Sequence, residues 1–479
     1  MHRGWEIISR PHSRTRGYDR DSAYPGSAVM TSDTPGRRRV GAAALIAASA
    51  LASSDLFIAN LAFPAITAHF DNTSPSTLSW VLNSYVVVLA SMMIPAGVLA
   101  DRLGRKRLFQ IGLALHIVGA IAAATAPSAG VLIAARGLQG AGAAVLVPTS
   151  MGLLLDRYPV ERHKQMVAVW AAAGSVAAGA GPVLGGIVAE VDWRWVFVLT
   201  LPLSLSAIIA TRALTETERQ KAALPDMVGA AMVVLALGGL VTSLALTRTD
   251  AGMVTIAFFA ALAVIALVSL VIRCRTHPRP ILRPSMFRVS SFSFAAVGMA
   301  LYHVGFTGVL LGGSLFLVTV WGWGTAAAGA AFAVGPITAA IAALLAGRFA
   351  ITPRTMTLVG GAALSAVGVL FLGLLVASPV SVPVFLIGMV LWGVSAGFCQ
   401  AGMLAGGLAE LGGGDYSAGS AVLNTTRQAG SAIGNALIVV IVGAGGIAST
   451  FSTVWLVTIV GGLATVLVGV ALQRSARRT

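Results

Sequence analysis

The chain predicts an all-α polytopic membrane protein, and three observations predict it. Apolar residues fill 57% of the 479 positions and charged residues only 10%, with a mean hydropathy of +0.86. No soluble domain of this size hides so much apolar surface. The apolar residues gather in runs of about the 20 needed to cross a hydrocarbon core. The cations crowd one alternate set of connecting loops and avoid the other, which is the positive-inside bias. A formal charge of +15 and a pI near 11.2 would also suit a nucleic-acid binder, but placement argues for no nucleic acid. Of 32 Lys and Arg, five lie in the first tail (Arg3, Arg10, Arg14, Arg16, Arg20) and two inside apolar runs (Arg136, Arg427). Two more lie in the sparse loops (Arg194, Arg248), and the rest fall in the other loops and the ends beside them.

Residues 1–39 are polar and lack the apolar core of a signal peptide, so a disordered cytoplasmic tail is expected. A start at Met30 would lower the formal charge from +15 to +13. Fourteen spans follow, near 40–66, 78–100, 108–126, 129–154, 166–189, 195–212, 226–247, 252–273, 291–319, 325–347, 355–377, 381–407, 417–444 and 449–472. An even count returns both termini to the cytoplasm, leaving 473–479 as a second tail. Charged connections at 213–225 (Glu216, Glu218, Arg219, Lys221) and 274–290 (Arg275, Arg279, Arg283, Arg288) bracket spans 7 and 8. The expected division is a six-helix bundle over 40–212, a linker with two extra helices over 213–290, and a second six-helix bundle over 291–472. Two halves of this kind suit a transporter with a central site.

Between spans 2 and 3 lies Gly97-Val98-Leu99-Ala100-Asp101-Arg102-Leu103-Gly104-Arg105-Lys106-Arg107, five charges in a tight loop at the bilayer surface. Gly97 is expected to admit a neighbouring helix and Gly104 to permit the turn. Asp101 can sit at the end of an opposing helix, where free N–H groups favour an anion. The run resembles the signature loop between helices 2 and 3 of the major facilitator superfamily. A degenerate copy, Ala346-Gly347-Arg348-Phe349-Ala350-Ile351, holds the same place in the second half; it lacks the aspartate and the second glycine.

Span 1 carries Asp55, the one carboxylate well inside any expected span, ahead of Asn60-Leu61-Ala62-Phe63-Pro64. A charge at that depth costs about 2.5–3.5 kcal/mol, so it needs an interior position and a partner. Proton coupling and a structural ion pair are both open readings. The segment resembles helix 1 of the fourteen-helix drug:proton antiporter branch of the superfamily. Span 4 offers the partner, Arg136, in Arg136-Gly137-Leu138-Gln139-Gly140. Asp55 is expected roughly 16 Å below the outer surface and Arg136 roughly 10 Å, a gap that long side chains can close. The span-4 run is similar to the helix-4 motif, which implies a part in proton transfer; a structural arginine is the rival reading.

Span 5 carries Gly179-Ala180-Gly181-Pro182-Val183-Leu184-Gly185-Gly186. Pro182 removes a helix donor and the glycines admit close contact across the bundles. The run resembles the antiporter motif that marks exporters, with Ala177 where the upstream glycine is expected. Asp192-Trp193-Arg194-Trp195 reads as an interfacial aromatic anchor. Arg427, roughly 15 Å from the inner end of span 13, is expected to line the cavity or a gate; its run Asn424-Thr425-Thr426-Arg427-Gln428 also resembles the fourteen-helix branch. Further cavity candidates are Asn60, Trp80, Asn83, Tyr85, Gln139, Tyr302, His303, Gln400 and Asn424. His116 and His303 read as structural histidines with satisfied rings. Cys274 and Cys399 are far apart and give no disulfide or metal framework.

The resemblance implies a monomeric proton-coupled antiporter in the cell (inner) membrane that exports hydrophobic or amphipathic small molecules by alternating access. Its partners would be the substrate, protons and the bilayer; its energy would come from the proton gradient, with no cofactor and no metal. Export of one endogenous metabolite, a lipid or a self-made antibiotic is the alternative. An embedded enzyme would need clustered His, Asp or Glu, and a sensor would need a soluble output domain.

Overall fold

The structure, a computed structural model, describes residues 35–214, 226–247, 252–349, 351–376, 381–411, 416–442 and 447–476. Helix falls at every place where a span is expected, and the described residues contain no strand. In chain order the helices are α1 (Pro35–His69), α2 (Trp80–Leu103), α3 (Arg105–Ala124), α4 (Ala129–Leu155), α5 (Val160–Val191) and α6 (Trp195–Ala213). They continue as α7 (Met227–Leu246), α8 (Met253–Thr276), α9 (Ser290–Thr319), α10 (Thr325–Arg348), α11 (Pro353–Val376), α12 (Val382–Leu408), α13 (Tyr416–Val442) and α14 (Ile447–Ala476). The first helix begins at Pro35, inside the expected tail; residues 1–34 lie outside the described residues.

Among the described residues, ten helices are long and apolar enough to cross a membrane. In α13 the run from Asn424 to Gln428 dilutes the apolar residues.

The packing has an internal repeat. In the first half α1 packs on α5 and α6, α4 on α2 and α3, and α3 on α6. Eight helices later, α9 packs on α13 and α14, α12 on α10 and α11, and α11 on α14. Each half is thus a six-helix bundle, and the halves meet along two equivalent seams, α5 on α10 and α2 on α13. The α7–α8 pair joins through α7, which lies against both α2 and α13.

The connections alternate between two ends of the bundle. One end is basic, with Arg105, Lys106, Arg107, Arg157 and Arg273. There Lys106 Nζ donates to Leu214 O at 2.7 Å and Arg157 Nη2 to Ala213 O at 2.6 Å. Both cations sit where the last carbonyls of α6 leave partial negative charge. At the start of α7, buried Asp226 accepts from Gly229 N, Arg273 Nε and Ile281 N at 2.8, 2.7 and 3.2 Å. Burial pushes this carboxyl up, but those bonds and the Arg273 charge outweigh it and hold it below the ordinary value.

At the opposite end, Thr325 Oγ1 donates to Gly186 O at 2.9 Å and Ala326 N donates to Glu190 Oε1 at 3.0 Å. Glu190 of one half therefore caps the first turn of a helix from the other. Beneath this strap one apolar core joins Ile58, Ala62 and Phe63 of α1 to Val309, Leu310 and Phe316 of α9.

Candidate functional site

The site begins where α4 meets α2. Gly140 lies so close to the Tyr85 backbone that any Cβ there would collide with it. One turn earlier, the same register sets Arg136 against Val81, and Arg136 Nε donates to Val81 O at 3.1 Å. The opposing α1 supplies Asp55. Arg136 Nη1 meets Asp55 Oδ2 at 2.7 Å and also donates to Gln139 Oε1 at 2.9 Å. The guanidinium carbon lies 4.4 Å from the Tyr85 ring centroid and 5.7 Å from that of Phe197. Tyr85 is tied to α1 by its hydroxyl, which donates to Ala52 O at 3.4 Å. Three helices thus converge on one ion pair, with Asp55 2% exposed and Arg136 0%.

This pair has unspent hydrogen-bonding capacity around it. Arg136 Nη2, Gln139 Nε2 and both amide atoms of Asn83 are buried without a hydrogen-bond partner among the described residues. Buried polar groups in this state are uncommon in folded proteins, and an ordered water can complete them where the site is polar and roomy enough. One carboxylate oxygen of Asp55 is engaged by Arg136, and this contact ties α1 to α4 deep in the first half. His116 is fully buried on α3, where Gly142 of α4 closes on its backbone.

Of the signature loop, Gly104 makes the turn between α2 and α3 at φ 99, a backbone that favours glycine. Arg105 Nη1 reaches both carboxylate oxygens of Asp156 at the end of α4, at 3.1 and 2.9 Å. Gly97 differs from expectation: a Cβ there would meet only Pro148, at 3.9 Å, because the close approach of α4 to α2 is made at Gly140. The side chains of Asp101 and Arg102 lie outside the described residues.

The span-5 glycines divide their work. Gly181 and Gly185 face Ser54 and Ile58 of α1, within one half, rather than across the bundles as expected. Gly186 alone closes on α10, so near Thr325 and Ala326 that no Cβ fits. Gly179 and Pro182 are described only as helical backbone.

The cavity candidates separate into groups. Tyr85 and Gln139 join the Asp55–Arg136 pair. Asn60 and Asn83 are fully buried nearby on α1 and α2. The Trp80 ring packs on α7 near Gly238, which removes it from a central cavity. In the second half Ser395 Oγ donates to the Tyr302 hydroxyl at 3.2 Å, and His303 Nδ1 pairs with Met299 O at 2.9 Å. Arg427 is partly exposed on α13 with its Nε buried and unpartnered. Asn424 turns its amide back onto Ser420 O at 3.0 Å, and Gln400 is partly exposed on α12. Trp193 is a further correction: it is buried among His69, Phe70 and Phe197, so only Trp195, 53% exposed, is placed as an anchor. Sequence reading missed the Glu190–Ala326 strap and the Asp226–Arg273 tie. Both join residues far apart in the chain, and no spacing signals them.

Comparison with known proteins places this geometry. The methylenomycin A resistance protein of Streptomyces coelicolor is 30% identical over 91% of this chain and 94% of its own length. The puromycin resistance protein pur8 of Streptomyces alboniger is 28% identical over 87% of this chain and 84% of its own. Among solved structures, a variant of the peptide transporter POT in complex with sulfate superposes with a TM-score of 0.68, covering 91% of this chain and 94% of that one; at 17% identity it speaks for the fold alone. Residues 45–434 match the Major Facilitator Superfamily, and the chain belongs to that family of multi-pass membrane transporters of small molecules.

Proposed function

We propose that the protein is a proton-coupled antiporter that exports hydrophobic or amphipathic small molecules, in the manner of drug and antibiotic efflux. The observation that carries this reading is the buried Asp55–Arg136 pair, ringed by unsatisfied polar atoms in a bundle of two repeated halves. The names of the methylenomycin A and puromycin resistance proteins support the direction and the substrate range.

In this reading all fourteen helices cross the cell membrane. The basic end faces the cytoplasm, as the positive-inside bias requires. The chain works as a monomer, without a cofactor or catalytic chemistry, and the proton gradient supplies the energy. The Glu190–Ala326 and Thr325–Gly186 contacts hold the outer end closed in this conformation. Proton arrival at Asp55 loosens its grip on Arg136, and the halves rock to expose the site to the other side.

A screen in everted vesicles tests the proposal, using neutral, cationic and anionic amphiphiles with an imposed pH gradient. The expected result is gradient-dependent accumulation of some members, with partial collapse of the gradient when they are added. Uptake that ignores the gradient for every member would overturn proton coupling.

A further inference from the structure

The spans of the described residues hold three deep charges, and their bookkeeping is uneven. Asp55 and Arg136 neutralise each other at 2.7 Å and are both buried. Arg427 is left over. Among the described residues no hydrogen bond or ion pair engages it, and its Nε is buried without a partner. It is the twelfth residue of α13, roughly 16 Å along the helix, and is partly exposed there. An uncompensated guanidinium at that depth is expensive unless an anion answers it.

Its surroundings suit an amphipathic ligand. Arg427 shares a helix stripe with Gly430 and Gly434, which close on Ala300 and on Val304 and Thr307 of α9. That contact sets Arg427 beside His303, which lies in its electrostatic field. Next to His303, an aromatic layer runs from Tyr302 through Phe306 to Trp392, the last two stacked at 4.6 Å. Phe306 is partly exposed. No carboxylate occurs in this region among the described residues.

From this we infer that Arg427 is the head-group site for a monoanionic amphiphile, a carboxylate above all. The anion takes the guanidinium through charge-assisted hydrogen bonds, for which a carboxylate matches its fork. The apolar body lies against Phe306, the partly exposed member of the aromatic layer. This assignment rests on the export reading and narrows its substrate class. It has an energetic corollary: an inside-negative membrane potential drives an anion outward in the same sense as it draws the proton in.

The test uses the purified full-length chain and three probes on one dansyl-alkyl skeleton, ending in a carboxylate, a primary amide or a primary ammonium. Binding is read by energy transfer from tryptophan. The carboxylate is expected to bind at least about tenfold tighter than the amide, with the ammonium weakest. Arg427→Gln should erase the carboxylate–amide difference, and Arg427→Lys should retain part of it. Equal binding of the three probes by the unaltered chain, or tightest binding of the ammonium, overturns the assignment without any variant. So does a carboxylate preference that survives Arg427→Gln in folded protein. Proton-driven uptake in everted vesicles separates the two readings. Uptake of the amide and ammonium without carboxylate preference sinks the head-group site and leaves export standing. Carboxylate binding that depends on Arg427, without proton-driven uptake, supports the site and sinks coupled export.

Discussion

Asp55 and Arg136 are the residues on which the account turns, and their energetics are asymmetric. A buried ion pair adds little net stability, but removing one partner strands the other charge at a cost of about 3–5 kcal/mol. Arg136→Ala is therefore expected to lower stability strongly. Adding Asp55→Asn should recover a substantial part of the loss, a coupling that thermal unfolding of the single and double variants in detergent would measure. Strictly additive losses would deny the pair. Asp226 behaves differently because it lies outside the spans. Its carboxyl is held below the ordinary value, so its contribution is complete above the unfolded value and is lost only as pH falls through the lower folded one. The tie from α7 to Arg273 and Ile281 should hold at neutral pH and weaken below about pH 4. Asp226→Asn should remove that acid-dependent change, as read by protease access to the connection after α8. The depth arithmetic alone brought Asp55 and Arg136 together, since two helices of known length and direction leave few partners. It could not place the Tyr85 ring over Arg136, because that depends on how closely α2 and α4 pack at Gly140.

The helices meet where small residues let them. At Gly186 the backbone of α5 closes on Thr325 and Ala326 of α10, and Glu190 one turn further caps α10 across the halves. Gly186→Val should force this seam apart. The expected outcome is transport lowered by at least about tenfold, with substrate affinity held within about threefold, because the seam is away from Asp55 and Arg427. Lost affinity with normal turnover would contradict the role given to the seam. Helix existence was legible throughout, from runs of apolar residues between basic loops. The direction of the glycines was not: Gly181 and Gly185 serve α1 and Gly186 serves α10, although all belong to one motif. Helical period predicts faces, but the neighbour behind each face is a tertiary fact.

At the scale of the molecule, the repeat of helix pairs at an offset of eight makes the two halves equivalent, with α7–α8 laid against the seam of α2 and α13. The repeat was only faintly legible, through the degenerate copy of the signature loop at residues 346–351. Orientation is testable with cysteines, since both native ones are buried. Ser128→Cys should label from outside intact cells and Arg107→Cys only after permeabilisation; the reverse pattern would invert the topology.

In the proposed cycle Asp55 carries the proton that drives export. This role is tested most directly by substrate-induced proton release from purified protein, paired with uphill transport in proteoliposomes, for the unaltered chain and Asp55→Asn. The unaltered chain should release protons on binding and accumulate substrate against its gradient. Asp55→Asn should be less stable, yet its folded fraction should bind substrate, release no proton and drive no accumulation. If Asp55→Asn still couples a proton gradient to uphill export, the proton is carried elsewhere and the mechanism is wrong.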